Sequence, residues 1–258
     1  MLFDSHAHLT CDQMGDLSPL LARAKEAKVS TIVNICTDKN SLEQGLALAE
    51  REKWIFNAGA TTPHDVEKEG GLYFPLFEAA ARKKQLVAIG ETGLDYHYKH
   101  APVKTQQLFL RRYLALALAC RLPVIFHCRE AFADLFAITD SDYREGGKHG
   151  KAVVHCFTGT MKEAEEALER GWLISLSGIV TFKQSHALRE VAKEAPLHQL
   201  LIETDTPYLA PQKWRGKKNE PSFLIETAAL IASIKHLSLD EVARETTENA
   251  RAFFQLGL

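Results

Sequence analysis

Eight short apolar runs rich in β-forming residues recur along the chain, and longer stretches with apolar residues three and four apart lie between them. The runs cover residues 2–5, 31–35, 54–58, 86–90, 124–127, 152–155, 173–176 and 200–202. They are apolar nearly throughout rather than alternating, the pattern of parallel strands covered by helices on both faces. Between them, residues 17–28, 41–52, 72–84, 105–120 and 162–171 carry the helical period, and 222–235 and 239–254 close the chain with two more amphipathic segments. Asp16 and Pro19 supply a cap and a first-turn proline, and Gly171 stops its helix. Eight strand-then-helix units predict an α/β fold, a TIM-like (β/α)8 barrel. A barrel of this kind accounts for all 258 residues as a single domain.

Composition narrows what such a barrel does. The chain is 46% apolar and 25% charged with a net charge of −2, so a surface that coats nucleic acid broadly is excluded and any such contact is local. No apolar run approaches the roughly 20 residues of a membrane helix, and the start Met1-Leu2-Phe3-Asp4 has no basic leader region, so a cytoplasmic protein is expected. The five cysteines, Cys11, Cys36, Cys120, Cys128 and Cys156, form no CxxC pair. Neither a disulfide framework nor a thiolate zinc knuckle is indicated.

The polar residues at the ends of the runs carry the chemistry. His6 and His8 are two apart and point the same way from an extended strand. Glu91, His127, His155 and Asp205 stand where later runs end. The C-terminal strand ends of a barrel converge on one mouth, where barrel enzymes build their sites. Each residue alone has an ordinary reading: a buried histidine, an ion-paired glutamate, a turn-forming aspartate before Thr206-Pro207. Ligand-type residues at the ends of five separate strands instead point to one shared centre. Imidazole and carboxylate donors suit a catalytic divalent site, and six candidate ligands suit two ions. Asp4 and Glu203, in strand parity with these ligands, are read as orienting the ligand histidines. Cys128 and Cys156 follow histidines and face the other side, where they pack.

The segments Asp4-Ser5-His6-Ala7-His8-Leu9, Ile89-Gly90-Glu91-Thr92-Gly93-Leu94-Asp95-Tyr96, Phe126-His127-Cys128-Arg129, His155-Cys156-Phe157-Thr158-Gly159 and Glu203-Thr204-Asp205-Thr206-Pro207-Tyr208-Leu209 closely resemble the TatD family of metal-dependent deoxyribonucleases. The resemblance spans essentially the whole chain and includes Asn219-Glu220-Pro221 after the last strand. It implies two divalent ions, magnesium foremost with manganese or zinc as alternatives. His6, His8, Glu91 and Asp205 would hold one ion, and Glu91, His127 and His155 the other, with Glu91 bridging. It also implies 3′-5′ exonucleolytic hydrolysis of DNA. The chain departs from the family at Gly59-Ala60-Thr61-Thr62-Pro63-His64, where Thr62 stands in place of an expected histidine that His64 could replace.

Asp205 and Glu91 are accordingly the expected catalytic residues, with Asp205 placing or deprotonating the attacking water. Lys213, Arg215, Lys217 and Lys218 beside Trp214 form a basic loop near the mouth, either a solvated surface or part of a single-strand groove. Arg129 and His64 are candidate phosphate contacts, and Tyr96, Tyr98 and Phe157 either stack on bases or pack loops. The expected partner is DNA, bound through its backbone at single strands or ends by a monomer with no membrane contact. Two other functions compete: hydrolysis of a small ester, amide or phosphoester by the same ions, and a non-catalytic barrel scaffold.

Overall fold

The computed structural model describes residues 1–257. Eight parallel strands form one sheet in sequence order: β1 (Leu2–Ala7), β2 (Val29–Cys36), β3 (Ile55–Gly59), β4 (Ala88–Asp95), β5 (Val124–Arg129), β6 (Ala152–Val154), β7 (Leu173–Leu176) and β8 (Leu200–Ile202). The two edges meet where Ala7 bridges Thr206, His8 N–H donates to Thr206 O (2.7 Å) and Asp205 N–H donates to His6 O (2.9 Å), so the sheet curls into a barrel. A two-residue hairpin, Arg144–Glu145 with Lys148–His149, lies outside it. Among the described residues no single helix is long and apolar enough to cross a membrane.

Nine helices surround the sheet among the described residues: α1 (Leu17–Glu26), α2 (Lys39–Arg51), α3 (Val66–Arg82), α4 (Val103–Cys120), α5 (Phe132–Asp142), α6 (Met161–Glu169), α7 (His186–Glu194), α8 (Leu224–Lys235) and α9 (Leu239–Phe253). Their starts follow local hydrogen-bonding chemistry. Asp16 Oδ1 accepts from Ser18 N–H at α1, and Asp38–Ser41, Thr160–Glu163 and Ser238–Glu241 make reciprocal capping pairs at α2, α6 and α9. Helix α3 begins six residues earlier than its apolar period suggests, because its first turns hold Gly70 and Gly71, and Pro75 lies inside it. Gly70 is packed so closely on the Phe109 ring that a Cβ would come within 2.6 Å of it.

Two apolar layers result. The larger lies between sheet and helices. The smaller consists of inward residues, Phe3, Val33, Ala58, Ala88, Ile125, Val153 and Leu201 among them, and is closed below by Phe253 and Phe254 of the C-terminal helix region. Phe3 and Phe254 stack at 5.8 Å with rings 2° apart. This plug fills the lower barrel and leaves its upper end to polar residues.

Strand periodicity then places the functional side chains. In β5, β6 and β8 the inward residues Ile125, Val153 and Leu201 are each followed two positions later by His127, His155 and Glu203. In β1 and β4 the ladder slips, between Asp4 and Ala7 and between Ile89 and Thr92, so His6 and Glu91 join the same layer three residues after Phe3 and Ala88. Gly93, at φ 148°, lets β4 lie tightly on β5, since a Cβ there would sit 1.9 Å from His127 O.

Candidate metal centre

All six expected ligands converge above the plug. His6, His8, Glu91, His155 and Asp205 are buried, and His127 is partly so. His6 Nε2 and His8 Nε2 lie 3.3 Å apart, and Asp205 Oδ1 lies 3.8 and 3.4 Å from them. Glu91 Oε2 faces this group at 3.5 Å from His6 Nε2 and 3.6 Å from His8 Nε2. Its other oxygen, Oε1, lies 2.9 Å from His127 Nδ1 and 3.2 Å from His155 Nε2. The Glu91 carboxylate therefore stands between two sets of donors, one oxygen to each. The Gly90–Glu91 and Thr206–Pro207 peptides are cis.

The surrounding groups hold these side chains in place. Glu203 Oε1 lies 3.3 Å from His155 Nδ1 and accepts the Cys156 N–H at 2.7 Å, so it stands behind the imidazole of a candidate ligand. Asp4 differs from its expected part: its oxygens accept from Thr204 N–H (3.0 Å) and Thr204 Oγ1–H (2.6 Å), and among the described residues no imidazole nitrogen pairs with it. The slip in β1 breaks the parity that Asp4 shares with His6, so Asp4 pins the chain beyond β8 instead. Asn34 fixes the other flank, accepting from Leu9 N–H (2.9 Å) and donating to Asn57 Oδ1 (2.9 Å).

Asp95 is the contact that the apolar pattern did not single out. Its Oδ2 lies 2.8 Å from His127 Nε2, so the ring that turns Nδ1 to Glu91 is held by Asp95 on its far side. A carboxylate behind a ligand imidazole fixes the ring and raises its basicity. Asp95→Asn is expected to weaken divalent-ion affinity about 10- to 100-fold while changing melting temperature little. Calorimetric titration of the metal-free variant with Mn2+ reads this, and an unchanged affinity would reduce Asp95 to a loop contact.

The donor set fits divalent cations. Four carboxylates, Glu91, Asp95, Glu203 and Asp205, are buried at this end, and among the described residues none pairs with a lysine or arginine. Buried anions need compensating charge. His6 Nδ1, His155 Nε2 and Glu203 Oε2 are buried without a well-formed hydrogen bond. His6, His8 and Asp205, and also His6, Glu91 and His155, each bring three ligand atoms within 4.8 Å of one another.

Without an ion, protons supply part of the charge. Burial opposes a charged His155, but Glu91 and Glu203 outweigh it and hold its pKa well above the ordinary value. His127 is likewise raised against burial by Asp95 and Glu91, and His8 by Asp205 and Glu91. Burial, together with His155 stacked 3.8 Å away, lowers His6 to about 3. Bound cations must displace the protons on the raised imidazoles, so metal affinity is expected to rise with pH through neutrality, about tenfold per unit for each proton displaced. Dissociation constants for Mn2+ measured between pH 6 and 8 test this; a flat profile would contradict it.

The outer candidates divide. His64 reaches the centre, its Nε2 3.7 Å from Asp95 Oδ2 and its ring 5.1 Å from that of His127. Thr62 does not, since its hydroxyl donates to Asp65 Oδ2 at 2.8 Å. Arg129 lies over the Tyr98 ring, 4.8 Å from its centre. Tyr96 donates its hydroxyl to Asp134 (2.7 Å) and Phe157 is buried, so these two pack loops. In the basic loop Lys213 pairs with Glu226 (2.7 Å), Lys218 reaches Gln13 O, Arg215 covers Phe182, and Lys217 covers Trp214, itself flat against Phe223. Cys128 is buried, and Cys156 Sγ lies 3.2 Å from Ser177 Oγ, outside the ligand groups.

Comparison with known proteins agrees with this architecture. Residues 3–255 match the family model described as TatD related DNase. The chain is 37% identical over 257 residues to the uncharacterized metal-dependent hydrolase YabD of Bacillus subtilis, covering 99% of this chain and all of that one. It is 33% identical over 262 residues to the 3′-5′ ssDNA/RNA exonuclease TatD of Erwinia tasmaniensis, covering 99% of this chain and all of that one. The crystal structure of YjjV, a TatD homolog from Escherichia coli K12, superposes with a TM-score of 0.91 at 28% identity, over 99% of this chain and 98% of that one.

Proposed function

The chain belongs to the TatD related DNase family of metal-dependent hydrolases, and from that premise we propose that it is a two-metal nuclease removing nucleotides from the 3′ ends of single-stranded DNA. The observation that carries the reading is Glu91, whose two oxygens face separate donor sets. His6, His8, Glu91 and Asp205 would hold one divalent ion, and Glu91, His127 and His155 the other. Magnesium is the expected ion. Bound there, such ions polarise a phosphoryl oxygen, make water acidic near neutral pH and offset charge on the leaving oxygen.

The remaining steps fall to the chain's own groups. Asp205, 7% exposed at the mouth, orients the attacking water and takes its proton. Glu203 and Asp95 keep the His155 and His127 rings from turning. The apolar plug closes the barrel from below, so substrate enters only from the open end. His64 and Arg129 stand on that rim, where a phosphodiester backbone would meet a donor or a cation.

The test is turnover of 3′- and 5′-labelled single-stranded DNA, beside a panel of small phosphodiesters and amides, by metal-depleted protein supplied with Mg2+, Mn2+ or Zn2+. Metal-dependent release of nucleotides from the 3′ end is expected, with chelation abolishing it. Absence of DNA cleavage with all three ions would sink the nuclease reading, and turnover confined to the small substrates would replace it with the competing hydrolase.

A further inference from the structure

We propose that the Tyr98 ring is the platform on which the base of the nucleotide beside the scissile phosphate stacks, so that the site selects strands whose bases are already unstacked. The inference rests on the nuclease reading and names how the substrate is held.

Tyr98 stands in the loop between β4 and α4 with 45% of its surface exposed. The ring is placed with care for so exposed a residue. His100 is stacked on it with an offset, its ring nearly parallel at 5.6 Å and 13°. His97 meets it edge-on at 4.9 Å and is itself tied to Glu130 at 2.7 Å. The Arg129 guanidinium lies 4.8 Å from the ring centre. An exposed aromatic ring beside a guanidinium is the kind of surface on which single-stranded nucleic acid binds, through base stacking and backbone attraction.

Register with the metal centre is built in. Asp95 Oδ1 accepts the Tyr98 backbone N–H at 2.7 Å, while its Oδ2 holds His127. One carboxylate thus fixes both a ligand imidazole and the platform. The His64 ring fills the interval, 5.7 Å from Tyr98 and 5.1 Å from His127, where a phosphate linking stacked base to reaction centre would pass.

The other aromatics near the mouth are engaged elsewhere. Tyr96 and Phe157 are packed, and Trp214 rests face to face on Phe223 at 4.5 Å. Tyr208, 42% exposed, lies edge-to-face with His8 and accepts a hydrogen bond from Gln13 at its hydroxyl (3.2 Å), and among the described residues no cation lies over its ring.

A mutant cycle between the ring and the base decides the matter. kcat/KM is measured for wild type, Tyr98→Ala and Tyr98→Phe on a single-stranded oligothymidylate and on the same strand with 5,6-dihydrothymidine at its 3′ end, whose saturated base no longer stacks. Tyr98→Ala is expected to lose about 5- to 150-fold on the thymidine strand, and less than about threefold on the dihydrothymidine strand. Tyr98→Phe, which keeps the ring, should track wild type on both. Equal losses by Tyr98→Ala on the two strands would overturn the platform and leave Tyr98 as a support for Asp95; no loss on either would overturn it outright. Wild type that cleaves neither strand overturns the nuclease reading itself. Wild type that cleaves both equally well overturns only the platform.

Discussion

Glu91→Gln is expected to empty both ion positions at once and to lower kcat/KM by about 10³-fold or more. The substitution keeps the shape of the side chain and one carbonyl acceptor, so packing around a residue 6% exposed is preserved. It removes the charge that faces four imidazoles, and it turns an NH2 donor toward one of the two sets. Burial acts to raise the Glu91 pKa, yet His155, His127 and His6 hold it well below the usual carboxylate range, so at neutral pH the wild-type group is an anion. Each ion position would lose its shared negative ligand. Metal content per chain, measured after gel filtration from metal-loaded protein, falls from two towards zero on this account. A variant that keeps one tightly bound ion would show that Glu91 serves one position only.

The residues that could be read from the chain and those that could not differ for a physical reason. His127 and His155 end their apolar runs and also follow inward apolar residues at the two-residue period of a regular strand, so run end and strand parity agree on them. His6 and Glu91 were found by their place at the ends of runs, although parity alone misplaces them, since β1 and β4 slip register just before each. The same slip explains Asp4: parity groups it with His6, and the fold turns it to Thr204. Asp95 escaped because the apolar run stops at Gly90, while the strand continues through Thr92, Gly93 and Leu94. Its signal was present, four residues beyond Glu91 and of the same parity.

The helices show a similar division. Helix α4 lies within two residues of its apolar period. Helix α7, nine residues long with only Leu188, Val191 and Ala192 buried, offers too short a stripe to stand out from the loop before it. Helix α5 has a longer stripe, Phe132, Leu135, Phe136 and Ile138, but lies directly after the irregular end of β5. The basic loop illustrates the limit of composition. Lys213 and Lys218 read as free cations along the chain, whereas folding gives one to Glu226 and the other to Gln13 O.

Asp205→Asn is expected to lower kcat by about 10²- to 10⁴-fold, the range for loss of a positioned general base, with a smaller change in KM. Asparagine suits the position for a backbone reason. Asp205 has φ 59°, in the left-handed region that asparagine and aspartate enter more readily than other side chains, so the variant should fold and melt like wild type. Alanine there would add a backbone penalty of about 1–2 kcal/mol and confuse the reading. The backbone anchors, Asp205 N–H to His6 O at 2.9 Å and Tyr208 N–H to Asp205 O at 2.8 Å, survive the change. The asparagine amide would still offer an oxygen beside His6 and His8, but no base for the water. Glu91, His127 and His155 are untouched, so at least one ion per chain remains. Loss of turnover with metal retained separates Asp205 from Glu91, where turnover and metal go together. A kcat within tenfold of wild type would move the proton acceptor elsewhere, and Asp205 would then act as a ligand alone.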